Sequence, residues 1–507
     1  MSIHPFIQKH RGGLVLLVLL LPLCFSGIRT HHDWGDDFAQ YINQAKCITK
    51  GEPVSHTGYL YNPHNPMLGP AAYPGGFPLL LSPVYALFGN NIVAFNVYLS
   101  LWLILAGFIW YLVLRRHHSE WVSVALSVLW CWHPWVLEYK TEVMAEIPFT
   151  ALLGLLILLY KRGFMRYDEE KRRESLLKAL TLGIVAGLLV AVRLNGIVIV
   201  VALYAFEVWQ NIWHLKPPFE PKNKLYTSAA TALITAFIVC FVLIDYLISG
   251  IRTNDLLTYG SNFSGEPFLV RIRENLGYYT ALVQDFFQRS KPEWKLFPLI
   301  TQAFLLALAC IGIIKDIALR RSFLLWAFAA YMALLIVYPY RGGGLRFMLP
   351  VLPIILHYAA QGFKSIHWGF AIPVKTTTAV LSVVILFQFL PEQLSAIKNA
   401  KNNFAGPQQP ESEEAFAYIK ANTPANAVFL FKKPRALALY AERKAFATQT
   451  ADTVLFLQDI KTFNPSYILT HADLQDVATQ NYLMAHQHQW DSIWGNNKFT
   501  LYTKNPR

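Results

Sequence analysis

Three aspartates stand close together near the start of the chain, in Asp33-Trp34-Gly35-Asp36-Asp37. Apolar residues recur at helical spacing from Phe38 onward, so an amphipathic helix is predicted to begin near Asp36. One acid is enough to cap a helix, and Asp36 could do so while Asp37 favours the helix dipole. Neighbouring carboxylates also raise each other's pKa, a cost typical of a general base or a metal site. Both interpretations remain open.

Arginines form a second group of residues suited to chemistry. Arg193 opens the turn Arg193-Leu194-Asn195-Gly196, and Arg341 and Arg346 flank a run of three glycines. Guanidinium groups bind phosphate through charge-assisted hydrogen bonds, and glycine lets the backbone approach an anion closely. Each feature alone is more typical of an anchor at the membrane interface, and Glu146 is ordinary for a first helical turn. Together, the acids and arginines indicate an anionic, lipid-linked substrate.

The composition indicates a membrane protein. Apolar residues make up 54% of the 507 residues and charged residues 15%, well below the roughly 25% of soluble chains. The mean hydropathy is +0.33. Because the apolar runs are continuous rather than alternating, they favour helices over a barrel. An all-α polytopic membrane protein is therefore expected.

About eleven transmembrane helices are predicted. Placing the N-terminus inside makes every cytoplasmic loop basic, as the positive-inside rule requires. The net charge of +13 is thus largely a topology signal, and nucleic acid is not expected as a partner. The predicted spans lie near 13–28, 91–114, 121–137, 146–160, 176–193, 195–209, 227–249, 295–314, 322–338, 347–360 and 367–391.

This topology puts the long polar segments, the loop 29–90 and the tail 392–507, on the extracytoplasmic side of the inner membrane. Shorter external loops are predicted at 138–145, 250–294 and 339–346. In the first loop, the segment from Tyr73 to Gly89 is too short to span and could lie in the interface. In the tail, a helix over 411–421 and strands over 427–431 and 467–470 predict a small α/β domain. Two domains follow: a membrane domain at 1–391 and an extracytoplasmic domain at 392–507.

Neither the N-terminus nor the cysteines indicates a secreted, disulfide-bonded protein. The apolar run from Gly13 to Ile28 lacks a small-residue cleavage site, so we expect an uncleaved first helix rather than a signal peptide. Only Cys47 lies outside the predicted spans, and a lone thiol there cannot form an internal disulfide. The other cysteines are Cys24, Cys131, Cys240 and Cys310.

In order along the chain, these motifs resemble the GT-C superfamily of polytopic glycosyltransferases, most closely the protein O-mannosyltransferase and lipid A aminoarabinose transferase group. The chain departs from that pattern in having Asp36-Asp37 where the family often has Asp-Glu, and Pro74-Gly75 where it often has Pro-Pro. The resemblance covers roughly 30–360 and rests on Asp37-x-x-x-Tyr41-x-x-x-Ala45, Tyr73-Pro74 to Leu80, Glu146-Ile147-Pro148, Arg193-Leu194-Asn195-Gly196, Arg346-Phe347-x-Leu349-Pro350 and the external tail.

The resemblance implies sugar transfer from a polyprenyl-phosphate donor to a lipid, glycan or protein acceptor outside the cytoplasm. Asp37, or Asp36, would act as general base. Arg341, Arg346 or Arg193 would stabilise the leaving phosphate. Tyr41 and Glu146 are further candidates for substrate binding. Family members differ in metal use, so a divalent ion held by Asp36 and Asp37 is an open alternative.

Three other functions compete with this interpretation. A secondary transporter usually has inverted repeats and ionisable groups near the midplane, and the sequence shows no such repeat. An O-antigen-type ligase or polymerase also uses lipid-linked sugars, and the same acidic and basic loops would suit it. A non-catalytic scaffold would have no use for the cluster of acids.

Overall fold

The computed structural model describes residues 3–160, 172–214, 224–248, 266–286, 296–319, 322–339, 341, 343–366, parts of 382–398, 405–448 and 452–505. Short 3-10 turns and one π-helical turn, Leu243–Ile248, link or extend the helices. The α-helices are α1 (Ile3–Leu20), α2 (Asp37–Lys50), α3 (Gly76–Phe88), α4 (Ile92–Leu114), α5 (Glu120–Cys131), α6 (Pro134–Tyr139), α7 (Glu146–Leu159), α8 (Arg172–Val192), α9 (Ile197–His214), α10 (Lys224–Val242), α11 (Phe268–Phe286), α12 (Leu296–Leu319), α13 (Phe323–Val337), α14 (Leu352–Ser365), α15 (Pro410–Asn422), α16 (Pro434–Tyr440), α17 (Thr453–Phe463) and α18 (Val477–Ala485).

The chain divides into two compact units. We call the first, 1–28 with 96–243 and 266–401, the helical unit. The second, 29–95 with 244–265 and 402–507, contains both helices and strands and is called the mixed unit. The segment 29–90 therefore belongs to the same unit as the C-terminal tail, although more than 300 residues separate them in sequence.

Apolar helices make up the helical unit. Among the described residues, three helical stretches are long and apolar enough to cross a bilayer, namely Ile92–Leu114, Arg173–Val192 and Ile300–Ala318. Further apolar helices are shorter, such as Glu146–Leu159 and Phe323–Val337. The all-α membrane architecture with a small C-terminal sheet is confirmed. The count of about eleven spans stays a prediction, and most of the predicted span at 367–391 lies outside the described residues.

Glycines bring two helices of this unit into close contact. A Cβ added to Gly362 of α14 would lie 1.8 Å from the carbonyl oxygen of Leu308 in α12. A Cβ added to Gly312 of α12 would lie 2.1 Å from the carbonyl oxygen of Tyr358. Backbones this close exclude any side chain at either position. These glycines thus set the α12–α14 separation.

A five-stranded sheet forms the core of the mixed unit. The strands are β1 (Val428–Leu430), β2 (Lys444–Phe446), β3 (Tyr467–His471), β4 (Trp490–Gly495) and β5 (Phe499–Lys504). Their order is β2-β1-β3-β5-β4, with β1 parallel to β2 and β3 and the other pairs antiparallel. Buried Leu430, Phe446 and Ile468 pack at its centre. The predicted helix at 411–421 and strands at 427–431 and 467–470 are confirmed as α15, β1 and β3.

The segment 29–90 adds a short stretch to this sheet. Leu60 N donates to the carbonyl oxygen of Ala445 at 2.8 Å, and Ala445 N donates to Gly58 O at 2.9 Å. These bonds occupy the outer edge of β2, a position that would otherwise present unpaired backbone groups. Lys46 of α2 also contacts Glu442, which precedes β2, at 2.5 Å. The loop is thereby fixed against the tail within one unit.

Candidate active site

Helix α2 begins where the sequence predicts it, but Asp36 does not cap it. Asp36 occupies the N-cap position with φ −93° and ψ −22°, and its side chain makes no capping hydrogen bond. The residue is only 9% exposed, and neither carboxylate oxygen has a hydrogen-bond partner. Burial raises the pKa of Asp36 to about 6, against the opposing charges of Arg435 and Lys433. Its burial is therefore not explained by capping.

Asp37 is the more accessible acid, with 24% of its side chain exposed. Its Oδ1 accepts hydrogen bonds from the Tyr73 hydroxyl at 2.5 Å and from Arg435 Nη1 at 3.1 Å. Burial holds the pKa of Tyr73 well above its ordinary value, so this hydroxyl keeps the proton that it donates. Two donors on one oxygen fix the plane of the carboxylate, as a positioned base requires.

Arg435, which the sequence analysis missed, connects the two acids. Its side chain is fully buried, and Nε lies 4.0 Å from Asp36 Oδ2. Nη2 donates to the carbonyl oxygen of Pro70 at 3.0 Å. The guanidinium carbon lies 4.7 Å from the ring centre of Tyr59 and 5.0 Å from that of Tyr73. The residue comes from α16, Pro434–Tyr440, where it is the sole charge in an apolar run, the one signal that could have identified it.

Helix α2 positions the segment that carries Tyr73. Gln44 Nε2 donates to Tyr73 O at 2.8 Å, and Gln44 Oε1 accepts from Tyr73 N at 3.0 Å. Gln40 Nε2 donates to Ala71 O at 2.7 Å. The ring of Tyr41 stacks on that of Tyr73 with centroids 4.5 Å apart. Tyr41 thus supports Tyr73, while its predicted contact with substrate stays a prediction.

A second group of charges lies in the helical unit and unites three predicted residues. Arg193 Nη1 is hydrogen-bonded to Glu146 Oε1, and Arg346 Nε lies 3.7 Å from the same oxygen. Both guanidinium groups face the ring of Phe347, at 5.2 Å and 5.1 Å. Two arginines thus share one oxygen of a buried carboxylate. Such a group can hold an anion.

Arg341 has different neighbours. Its Nε donates to Asn275 Oδ1 at 2.8 Å, and its Nη2 donates to Glu266 Oε2 at 2.6 Å. Glu266 also lies 3.8 Å from Arg271. Nη2 thus contacts both oxygens of Glu266 while Nε is bonded to Asn275, so most of this guanidinium is already engaged. Sequence proximity to Arg346 therefore did not indicate a shared site.

The pair Asp36 and Asp37 does not fit a divalent metal ion in this arrangement. Arg435 already contacts Asp37 and lies beside Asp36. A divalent metal ion bound to these carboxylates would lie next to the buried guanidinium of Arg435. The repulsion between the two cations would be strong, because the surroundings have a low dielectric constant. We derive no step through a metal.

Comparison with known proteins gives a partial family match and extensive fold matches. A model of a family described as 6-pyruvoyl-tetrahydropterin synthase related domain, a membrane protein, matches residues 73–219. No curated protein matches the chain.

Solved structures resemble the chain over nearly its whole length. ArnT from Cupriavidus metallidurans bound to undecaprenyl phosphate matches with a TM-score of 0.59 and 12% identity, over 98% of this chain and 100% of that one. The archaeal oligosaccharyltransferase AglB from Archaeoglobus fulgidus matches with a TM-score of 0.58 and 13% identity, over 94% and 71%. The mycobacterial arabinofuranosyltransferase AftD matches at 0.50 and 14%, over 98% and 41%.

The chain has the GT-C glycosyltransferase fold. The predicted resemblance is thereby confirmed at the level of fold. At 12–14% identity, the GT-C fold alone does not determine the reaction, which has to be argued from the residues of the two charge groups.

Gly69→Ala should destabilise the protein more than Gly51→Ala. Both glycines have positive φ, but Gly69 (φ +92°, ψ 174°) lies in a region that is almost exclusive to glycine, whereas Gly51 (φ +68°, ψ 22°) lies in the left-handed helical region, so the backbone cost is also larger at Gly69. A Cβ at Gly69 would also lie 2.7 Å from Arg435 Nη2 and 2.8 Å from the Tyr73 hydroxyl, whereas nothing lies within 4 Å at Gly51. We expect the Tm of the Gly69 variant, measured by tryptophan fluorescence in nanodiscs, to be lower by at least about 3 °C. Equal Tm values would show that Arg435 is not held rigidly.

Proposed function

We propose that this GT-C protein is a glycosyltransferase that moves a sugar from a polyprenyl-phosphate donor to a lipid, glycan or protein acceptor on the extracytoplasmic side of the inner membrane. The observation that carries the proposal is a pair of arginines, Arg193 and Arg346, that share the Glu146 carboxylate in the helical unit, whose apolar groove begins four residues after Arg193 in sequence. An amphiphile with an anionic head and a long hydrocarbon chain suits that combination. The match to ArnT, a structure bound to undecaprenyl phosphate, supports the same donor class.

The apolar groove lies between α9 and α13. Its volume is about 690 Å³, and its walls include exposed Val201 and the small residues Ala202, Ala329 and Ala333. It begins at Ile197, four residues after Arg193, and extends along α9 to Ala205, a length of about 12 Å. Small side chains leave room for the methyl branches of a prenyl chain. We assign the donor phosphate to Arg193 and Arg346 and the prenyl chain to this groove.

Asp37 is the proposed general base. As the acceptor oxygen attacks the anomeric carbon, its proton passes to Asp37 and the bond from that carbon to the phosphate oxygen breaks. The electron pair of the broken bond leaves with the polyprenyl phosphate, whose charge the arginine pair stabilises. Asp37 is the acid that is reached from solvent, and Tyr73 and Arg435 fix its orientation.

Asp37→Asn should abolish transfer, because an amide cannot accept the proton. We expect consumption of a polyprenyl-phosphate sugar by the purified protein in lipid to fall by at least about 100-fold, with expression and membrane insertion retained and Tm lowered, because buried Arg435 loses a counter-charge. Asp36→Asn serves as the matched control and should keep measurable activity. The converse result, with Asp37→Asn active and Asp36→Asn inactive, would assign the base to Asp36.

The pH profile separates the two acids further. Asp36 loses its proton as the pH rises through about 6, and its negative charge then raises the proton affinity of neighbouring Asp37. Activity should therefore rise between about pH 5 and pH 7 in the wild type and vary less in Asp36→Asn. Identical profiles would show that Asp36 does not influence the base.

Arg346→Ala should weaken use of the donor, and Arg341→Ala should not. Arg346 belongs to the proposed phosphate site, whereas Arg341 is paired with Glu266. We expect kcat/KM for the donor to fall by about 10-fold or more in the Arg346 variant. If the Arg341 variant showed the larger loss, the phosphate role would pass to Arg341.

Ala329→Phe should fill the groove and impair long-chain donors. Ala329 lines the groove, whereas Ala303 of α12 is equally exposed but does not line it. The donor KM should rise for the Ala329 variant, more for a long prenyl chain than for a short one, and should stay unchanged for Ala303→Phe. Equal donor KM values for the two variants would show that the prenyl chain of the donor does not bind in this groove.

A further inference from the structure

The geometry points to Arg435 as a built-in cation that takes the place of a divalent metal ion beside Asp36 and Asp37. On this inference, the C-terminal tail supplies the counter-charge of the acid pair, and the pair works without a metal. The inference rests on the proposed function only in calling Asp37 the base. Arg435 itself is a positioning residue, since it acts through that carboxylate.

Asp36 and Asp37 belong to a buried cluster of charges. Asp36 is 9% exposed, and Arg435, Lys433 and the backbone N–H of Ala436 all favour its ionised form, because a buried carboxylate needs nearby positive charge when it ionises. Arg435, whose side chain is fully buried, lies 3.1 Å from Asp37 and 4.0 Å from Asp36. One guanidinium thereby faces both carboxylates, as a bridging metal ion would.

The guanidinium group of Arg435 is also held in one position. Pro70 O accepts from Nη2 at 3.0 Å, and Tyr73 Oη lies 3.0 Å from Nη1. The rings of Tyr59 and Tyr73 both face it, and Gly69 leaves no room for a side chain beside it. Moving Arg435 aside would break all these contacts at once. A metal ion, which binds carboxylate oxygen at about 2.0–2.6 Å, would have to displace it.

Removing Arg435 should therefore turn the acid pair into a cation site. We expect Arg435→Ala to bind Mn²⁺, detected by electron paramagnetic resonance, and to lose this Mn²⁺ when Asp36→Asn is added. Its Tm should rise with Mn²⁺. Its donor consumption should fall by about 100-fold after chelation and recover in part with Mn²⁺. Wild-type activity should survive chelation unchanged.

Arg443→Ala is the matched control. Arg443 is also a buried arginine of the tail, but it donates to Thr423 and to the carbonyl oxygen of Lys420 rather than to the acids. Its removal should lower Tm without creating an Mn²⁺ site. Arg435→Lys keeps the charge and should remain independent of metal, which provides a variant if Arg435→Ala fails to fold.

Two results would overturn the inference. One is wild-type protein that binds Mn²⁺ through Asp36, or that loses activity on chelation and regains it with a divalent ion. The other is a folded Arg435→Ala variant that binds no Mn²⁺. Because Mn²⁺ binding is measured without donor or acceptor, it still decides the matter if no sugar donor is consumed and the proposed function is wrong.

Discussion

A guanidinium group enclosed by protein must find its hydrogen bonds and its counter-charge within the fold. Arg435 finds them in Pro70, Tyr73 and Asp37, all from the segment 29–90. That requirement explains why the loop and the C-terminal tail form one unit, with a backbone bridge at Ala445 and the Lys46–Glu442 ion pair as further ties. It also explains why Asp37 is held in one orientation. The position of the acids therefore depends on a residue almost 400 positions away.

In the helical unit, the charged side chains are arranged differently. There the Glu146 carboxylate lies between two arginines, both of which face the ring of Phe347. The apolar groove starts one turn beyond Arg193. In the mixed unit, two acids share Arg435, and Lys433 also acts on Asp36. On the proposed function, the arginines of the helical unit bind the phosphate leaving group and Asp37 accepts the proton.

Local patterns predicted much of this structure. Helical spacing after Asp36 located α2, and β-branched and aromatic runs located β1 and β3, because each signal lies within about ten residues. The motifs also named Glu146, Arg193 and Arg346 as separate candidates, but not that they contact one another. Asp36 occupies the N-cap position, as one alternative had it, but its side chain makes no capping hydrogen bond. Arg435 could not be found in this way, since its partners lie in a distant segment and its pattern is that of an apolar helix. The separate surroundings of Arg341 likewise depend on tertiary contacts.

Arg435 and Asp37 should be coupled in the free energy of unfolding. A double-mutant cycle with Arg435→Ala, Asp37→Asn and the combined variant measures this coupling directly, through the free energies of unfolding in detergent micelles. We expect the loss of unfolding free energy in the double variant to be smaller than the sum of the losses in the two single variants by at least about 1 kcal/mol. Additive effects, within roughly 0.5 kcal/mol, would contradict it and would reduce the contact to coincidental proximity.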